Sequence, residues 1–140
     1  MRSRLAALVI LLALAACTSV YYKDFAVDSQ DRAYTGRAQF DDIRRYLISR
    51  KLRTIIETND LLVVELEKEG RDEDSLQVRL TPSQRVEMTL TRRTAGETFS
   101  DGQLRRFREA FEARLRAETG HRVTNRLVAE RQRPLTNLGF

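Results

Sequence analysis

The stretch LQVRLTPSQRVEMTL, residues 76–90, contains two short segments in which apolar and polar residues alternate. Leu76, Val78 and Leu80 form the first alternating set, and Val86, Met88 and Leu90 form the second. A period of two is typical of a strand with one buried face and one solvated face. The stretch therefore predicts an antiparallel hairpin that turns at Pro82-Ser83.

Working outward, residues 53–58 and 61–67 predict a second hairpin around Asn59-Asp60. Both turn residues tolerate the left-handed backbone that a two-residue hairpin loop requires. Residues 21–27 are a weaker strand candidate, because Asp24 interrupts their pattern. Residues 123–128 are either a last strand or an irregular segment.

Two segments have helical periodicity instead. Residues 38–52 carry Phe40, Ile43 and Leu47 at spacings of three and four, which indicates an amphipathic helix. A second helix is predicted to begin at Ser100, with Gln103 in the capping-box position, and to end at Gly120. Its apolar stripe is expected to be core rather than a ligand groove, and comprises Leu104, Phe107, Phe111 and Leu115.

These elements predict an α+β fold, with a small antiparallel sheet of four or five strands and two amphipathic helices packed on one face. The element order is roughly β-α-β-β-β-β-α. We expect residues 21–129 to form one domain with one core. Residues 130–140 have no periodicity and are expected to be a mobile tail.

The amino terminus has the features of an export signal. Arg2 and Arg4 precede an apolar run from Leu5 to Ala16, which at about 18 Å of helix is too short to span a bilayer. The run ends in Leu14-Ala15-Ala16-Cys17, and Cys17 is the only cysteine. This sequence resembles the lipobox of bacterial lipoproteins.

The resemblance implies cleavage between Ala16 and Cys17, so that residues 1–16 are a signal peptide. It also implies a diacylglycerol on the Cys17 thiol and an acyl chain on its amino group, and no other cofactor is expected. Residues 17–20 would be the lipidated anchor and leash. Because Thr18 rather than aspartate follows the cysteine, the resemblance implies the periplasmic face of the outer membrane. An ordinary signal peptide is the alternative, but it would leave a free cysteine in an oxidising compartment.

The charge is close to balanced overall but unevenly distributed. The chain has 25 basic and 20 acidic residues, for a net charge of +5, and arginines are concentrated after residue 103. A possible anion-binding face, suited to phosphates of lipids or lipopolysaccharide, comprises Arg105, Arg108, Arg116 and Arg122. Nearby glutamates could neutralise much of it. Nucleic acid is not expected as the partner of an exported, lipid-anchored protein.

No catalytic or metal-binding constellation is predicted. His121 is the only histidine and follows a helix end, where a contact with the helix dipole is the expected role. Glu65 and Glu67 could share one face of a strand, as in a carboxylate pair, but they match a solvent-facing strand equally well. Asp72-Glu73-Asp74 lacks the ligand spacing of a calcium loop and is expected to lie in a solvated charged loop.

The sequence therefore favours a non-enzymatic accessory or interaction lipoprotein, tethered to the membrane, with an envelope protein as its partner. The alternative is a module that binds or carries lipid or lipopolysaccharide in a crevice between the helices and the sheet. A weak cell-wall hydrolase is the third hypothesis.

Overall fold

A computed structural model describes residues 18–67 and 72–134. It contains six strands and two helices in the order β-α-β-β-β-β-α-β. The strands are β1 (Ser19–Ser29), β2 (Arg53–Glu57), β3 (Leu61–Glu65), β4 (Glu73–Leu80), β5 (Val86–Thr94) and β6 (Val123–Pro134). The helices are α1 (Gly36–Ser49) and α2 (Asp101–Thr119). The predicted α+β class is confirmed.

The strands form one antiparallel sheet in the order β2-β3-β4-β5-β1-β6. The prediction of four or five strands is wrong, because residues 123–128, for which the sequence allows either a strand or an irregular segment, belong to a sixth strand that continues to Pro134. Strand β6 is an edge strand, and most of its side chains are exposed. Backbone hydrogen bonds to β1 hold β6 in the sheet, so its sequence does not have to alternate between apolar and polar residues for it to form a strand.

Both ends of the predicted domain need correction. Residues 130–134, assigned to a mobile tail, are part of β6, where Glu130 pairs with Lys23. Ser19 and Val20, assigned to the leash, already belong to β1. The signal peptide 1–16, Cys17 and the tail residues 135–140 lie outside the described residues.

The β4–β5 hairpin has the predicted register. Leu76 faces Leu90, Val78 faces Met88 and Leu80 faces Val86, and all six side chains are buried. The turn contains Pro82 and Ser83 as predicted, and Gln84 takes a left-handed φ of 63°. One face of this hairpin therefore supplies the centre of the core.

The β2–β3 hairpin is present, but its turn differs from the prediction. Neither Asn59 nor Asp60 has a positive φ. The Thr58 hydroxyl instead accepts hydrogen bonds from the backbone N–H groups of Asp60 and Leu61. Arg37 of α1 donates to the Asn59 carbonyl oxygen at 2.6 Å, so a tertiary contact also stabilises the turn.

Helix α2 begins and ends where predicted. Ser100 and Gln103 form both bonds of the capping box, and Gly120 ends the helix with a φ of 73°. Helix α1 begins two residues earlier and ends three residues earlier than predicted. The Thr35 hydroxyl caps its start by accepting from the Ala38 N–H, and Lys51 takes a φ of 57° just after its end.

The buried sides of both helices join one core cluster with one face of the sheet. Phe40 and Ile43 of α1, Leu115 of α2 and Phe25 and Leu62 of the sheet are at most 1% exposed. Helix α1 begins beside the β4–β5 turn, while α2 begins at the opposite end of the sheet, after β5. The helices therefore run antiparallel to each other.

Candidate ligand-binding cleft

A cleft of about 330 Å³ lies between the two helices, above one end of the sheet. The second half of α1 and the first half of α2 form its walls, and β4 and β5 form its floor. Its apolar lining comprises Leu47, Leu52, Leu66, Leu76, Leu90, Phe99, Phe107, Ala110 and Phe111. The volume falls within the range of about 300–1,000 Å³ that is common for small-molecule sites.

A buried ion pair lies at one end of the floor, where Asp74 of β4 neighbours Arg92 of β5. The Arg92 guanidinium donates from Nε to Asp74 Oδ1 and from Nη2 to Oδ2, both at 2.9 Å. The Arg92 side chain is 7% exposed, and its guanidinium stacks on the Phe99 ring at 4.0 Å. Two charges this well buried require mutual compensation, and the bidentate geometry supplies it.

The start of α2 is connected to this ion pair through Gln103. The Gln103 Oε1 atom accepts from the Ser100 backbone N–H at 2.8 Å and lies 3.5 Å from Arg92 Nη1. The cap of the helix and the charged end of the floor therefore share one oxygen atom. This contact fixes the first turn of α2 relative to the sheet.

Two further arginines border the cleft from opposite helices. Arg50 follows α1 and donates to the Tyr46 hydroxyl at 3.0 Å, a bond that raises the pKa of Arg50 further above its ordinary value. Arg106 of α2 is exposed, and no carboxylate of the described residues lies within ion-pair distance of its guanidinium. Glu67 is also at the border and interacts favourably with Arg50.

The arginines of the predicted anion-binding face do not line this cleft. Arg105 and Arg116 are exposed elsewhere on α2, and Arg122 is exposed just before β6. Arg108 is half-buried, and its Nε donates to the Asn125 carbonyl oxygen at 2.5 Å, which joins α2 to β6. The anion-binding face stays a prediction. Of its four arginines, Arg108 already uses its Nε in a hydrogen bond within the fold.

His121 lies in a different cluster, at the far end of α2. Its ring stacks on Tyr34 at 4.1 Å, and its Nδ1 is 3.0 Å from Asp31 Oδ2. The neighbouring hydroxyl belongs to Tyr34, and it donates to Asp42 at 2.6 Å. Burial, assisted by that bond, raises the pKa of Tyr34, so this hydroxyl is a poor nucleophile at neutral pH.

The acidic candidates are separated in the structure. Glu65 pairs with Arg53 at 3.2 Å, whereas Glu67 borders the cleft, so the two do not form a carboxylate pair. The predicted charged loop is wrong for Glu73 and Asp74, which begin β4. Asp72 accepts a short hydrogen bond from Thr94. Within residues 18–67 and 72–134, no group of three or more histidine, cysteine or acidic side chains is arranged to hold a metal ion.

A second hollow, of about 570 Å³, lies on the sheet face away from the helices. Its charged side chains are largely paired with each other: Arg131 donates twice to Asp24, and Arg79 donates to Glu87. The apolar cleft between the helices is therefore the better candidate for a ligand site.

The site residues predicted from the sequence did not include Arg50, Arg92 or Arg106. For Arg92 a signal was available, because it continues the alternation of Val86, Met88 and Leu90 and therefore occupies an inward-facing position. A charge at such a position indicates a buried partner. For Arg106 the signal was weak, since Arg105 and Arg108 are equally basic neighbours.

Comparison with known proteins adds no functional assignment. No protein family model matches the chain. A search of curated proteins found no significant match. In the part of the chain that the structure describes, neither helix is long and apolar enough to cross a bilayer.

Proposed function

We propose that the protein is a lipid-anchored, non-enzymatic binding module of the cell envelope that holds the apolar chain of a ligand in the cleft between its helices. The cleft is the observation that carries this proposal. It joins two hypotheses from the sequence, the accessory lipoprotein and the lipid or lipopolysaccharide carrier. The cell-wall hydrolase receives no support from the arrangement of His121, Glu65 and Glu67.

The position of the cleft in the sheet supports the proposal. Strand β1 begins at Ser19, two residues after the proposed lipidated Cys17, and Ser19 pairs with Thr94 of β5. Arg92, in the floor of the cleft, is two residues from Thr94, or about 7 Å along the strand. The cleft is therefore at the end of the sheet where β1 begins, which is the end nearest in sequence to the proposed anchor. A ligand with an acyl chain would have a short path between membrane and cleft.

The anchor itself rests on Leu14-Ala15-Ala16-Cys17, and it remains a proposal. Two or three acyl chains on Cys17 would hold the protein at a membrane almost irreversibly. Its test is the mass and membrane fractionation of the native protein beside a Cys17→Ser variant. A native protein of unmodified mass in the soluble fraction would contradict the anchor without affecting the cleft.

The binding role is tested by identifying molecules that copurify with the protein. We expect the full chain to carry non-covalent, acyl-containing molecules that mass spectrometry detects after denaturation. An Ala110→Trp variant should lose them, because Ala110 is an exposed position in the cleft lining that a large ring would fill. Equal amounts on both proteins, with the variant folded, would contradict the proposal.

A second candidate function is the presentation of a surface to an envelope protein. Strand β2 is an edge strand, and Ile55 and Ile56 on it are 53% and 44% exposed. Ile48, at the end of α1, is another exposed large apolar side chain, at 44%. Exposed apolar edges are suited to strand addition by a partner. A photoreactive residue at position 55 should then crosslink to one reproducible protein in cells, and one at the exposed turn position 85 should not.

A further inference from the structure

We propose that the cleft selects amphiphiles with an anionic head group, and that Arg106 binds that head group. This inference rests on the proposed function and adds the chemical class of the ligand. The shared chemistry is a carboxylate or phosphate attached to an alkyl chain. Fatty acids, lysophospholipids and the phosphorylated end of lipopolysaccharide all have it.

Among the described residues, the charges that line the cleft leave one cation without a carboxylate at ion-pair distance. Arg92 donates two hydrogen bonds to Asp74, and Asp72 is a second carboxylate 3.9 Å from its Nε, so the Arg92 charge is fully compensated. Arg50 and Glu67 attract each other at the border. Arg106 has no carboxylate at ion-pair distance among the residues described, so the cleft has a surplus positive charge at this position.

The geometry of α2 places this charge beside the apolar lining. Arg106 is three residues after Gln103 and four before Ala110, and residues at these spacings share one side of a helix. All three line the cleft together with Phe107 and Phe111. An alkyl chain against the phenylalanine rings would therefore have its head group within reach of the Arg106 side chain.

Guanidinium chemistry determines which head groups fit. A guanidinium presents parallel N–H groups that match carboxylate and phosphate oxygens, and such charge-assisted bonds are stronger than neutral ones. Arg106 and Arg50 would instead repel a cationic head group. Of the two carboxylates that line the cleft, Asp74 is held in the bidentate pair with Arg92, so only Glu67 could attract a cation. The order of preference should therefore be anionic, then neutral, then cationic.

The test uses the full chain reconstituted in phosphatidylcholine vesicles and three photoreactive probes with the same medium-length alkyl chain. The probes end in a carboxylate, an alcohol or a trimethylammonium group. Mass spectrometry of the digested protein measures labelling of the peptides that line the cleft. We expect the carboxylate probe to be about tenfold more effective than the alcohol probe, as one charge-assisted contact would produce.

Arg106→Gln should remove that preference while the alcohol probe continues to label. Arg114→Gln is the matched control, because Arg114 is an exposed arginine on the same helix that does not line the cleft and is not part of the predicted anion-binding face. Both positions are exposed, so neither change should alter the melting temperature. An effect of Arg114→Gln equal to that of Arg106→Gln would overturn the assignment to Arg106.

The remaining outcomes distinguish a failure of the head-group preference from a failure of the proposed binding function. Equal labelling by all three probes would overturn the inference but leave the proposed function in place. No labelling of the cleft by any probe would overturn both. With the preference established, a phosphate-ended probe that competes better than the carboxylate probe would identify a phosphorylated lipid, and the reverse order would identify a fatty acid.

Discussion

Arg92 and Asp74 form a bidentate ion pair with both hydrogen bonds at 2.9 Å, beneath the first turn of α2. The pair occupies two inward-facing positions of neighbouring strands, next to the apolar row formed by Leu76 and Leu90. The pair therefore forms a charged boundary beside this apolar part of the core.

Removing one partner of this pair should be costly. Asp74→Asn leaves the Arg92 charge buried with weaker compensation, and we expect the free energy of unfolding to fall by about 3–5 kcal/mol. Urea denaturation measures this change. The double variant Asp74→Leu with Arg92→Met should recover much of the loss, because it removes both charges together. A double variant as unstable as Asp74→Asn would show that the charges themselves are needed.

A substitution at Asn125 should increase the stability of the protein rather than decrease it. Its side chain is fully buried, and neither Oδ1 nor Nδ2 has a hydrogen-bond partner among the described residues. Asn125→Leu replaces the amide with an apolar group of similar size, and we expect the free energy of unfolding to rise by about 1–3 kcal/mol. Thermal denaturation, with Thr124→Val at the exposed neighbouring position as control, provides the measurement. A loss of stability would mean that the amide is satisfied in solution.

Gly36 allows the start of α1 to approach the β4–β5 turn closely. A Cβ atom at this position would overlap the backbone carbonyl of Gln84, which cannot move independently of the turn. Gly36→Ala should therefore destabilise the protein by about 1–3 kcal/mol in urea denaturation. Gly102→Ala, where the nearest atom is a flexible side chain at 3.6 Å, should be neutral or stabilising. Equal effects of the two changes would contradict this account.

The ionisation of Asp24 should influence acid stability. Burial alone would raise the pKa of Asp24, but hydrogen bonds from Arg131 and Thr89 outweigh it and lower the pKa below its usual value. Because the folded state has the lower pKa, this stabilisation is present above about pH 4 and is lost as the pH falls through the folded pKa. Arg131→Gln should raise the pKa of Asp24 in an NMR titration. Arg126→Gln, which removes a contact with Asp28 instead, is the control.

Tyr34 should affect stability at the alkaline end. Burial and the hydrogen bond donated to Asp42 raise the pKa of Tyr34 in the folded state. Its stabilisation is therefore complete below about pH 10 and decreases as the pH rises toward the folded pKa. Tyr34→Phe should lower the free energy of unfolding by about 1 kcal/mol at neutral pH. It should also reduce the loss of stability above about pH 10, and urea denaturation at neutral and at alkaline pH measures both effects. Tyr22→Phe, which removes a hydroxyl with no hydrogen-bond partner among the described residues, is the control.

The elements predicted best were those whose signals are local. The β4–β5 hairpin follows from the alternation around Pro82-Ser83, and the ends of α2 follow from Ser100, Gln103 and Gly120. In each case the residues that define the element lie within a few positions of one another. Their interactions therefore do not depend on the rest of the fold.

The elements that sequence reasoning missed depend on distant partners. Strand β6 is held by pairing with β1, about a hundred residues away in the chain, and its own composition resembles a charged loop. The turn at Asn59-Asp60 takes its conformation partly from Arg37. The cleft needs α1, α2, β4 and β5 together, so Arg50 and Arg106 could not be recognised as neighbours of one site from their spacing.

The pairing of β1 with β6 also has a consequence for biogenesis. In a chain that is exported amino terminus first, β1 emerges early, but both of its neighbours in the sheet, β5 and β6, emerge much later. Contacts between such distant segments form slowly, because a long loop must close before they are made. The segment nearest the proposed anchor is thus the first to arrive and the last to be enclosed. Until residue 134 has emerged, the edge of β1 that pairs with β6 is unpaired, and a chaperone that binds exposed strand edges would protect it.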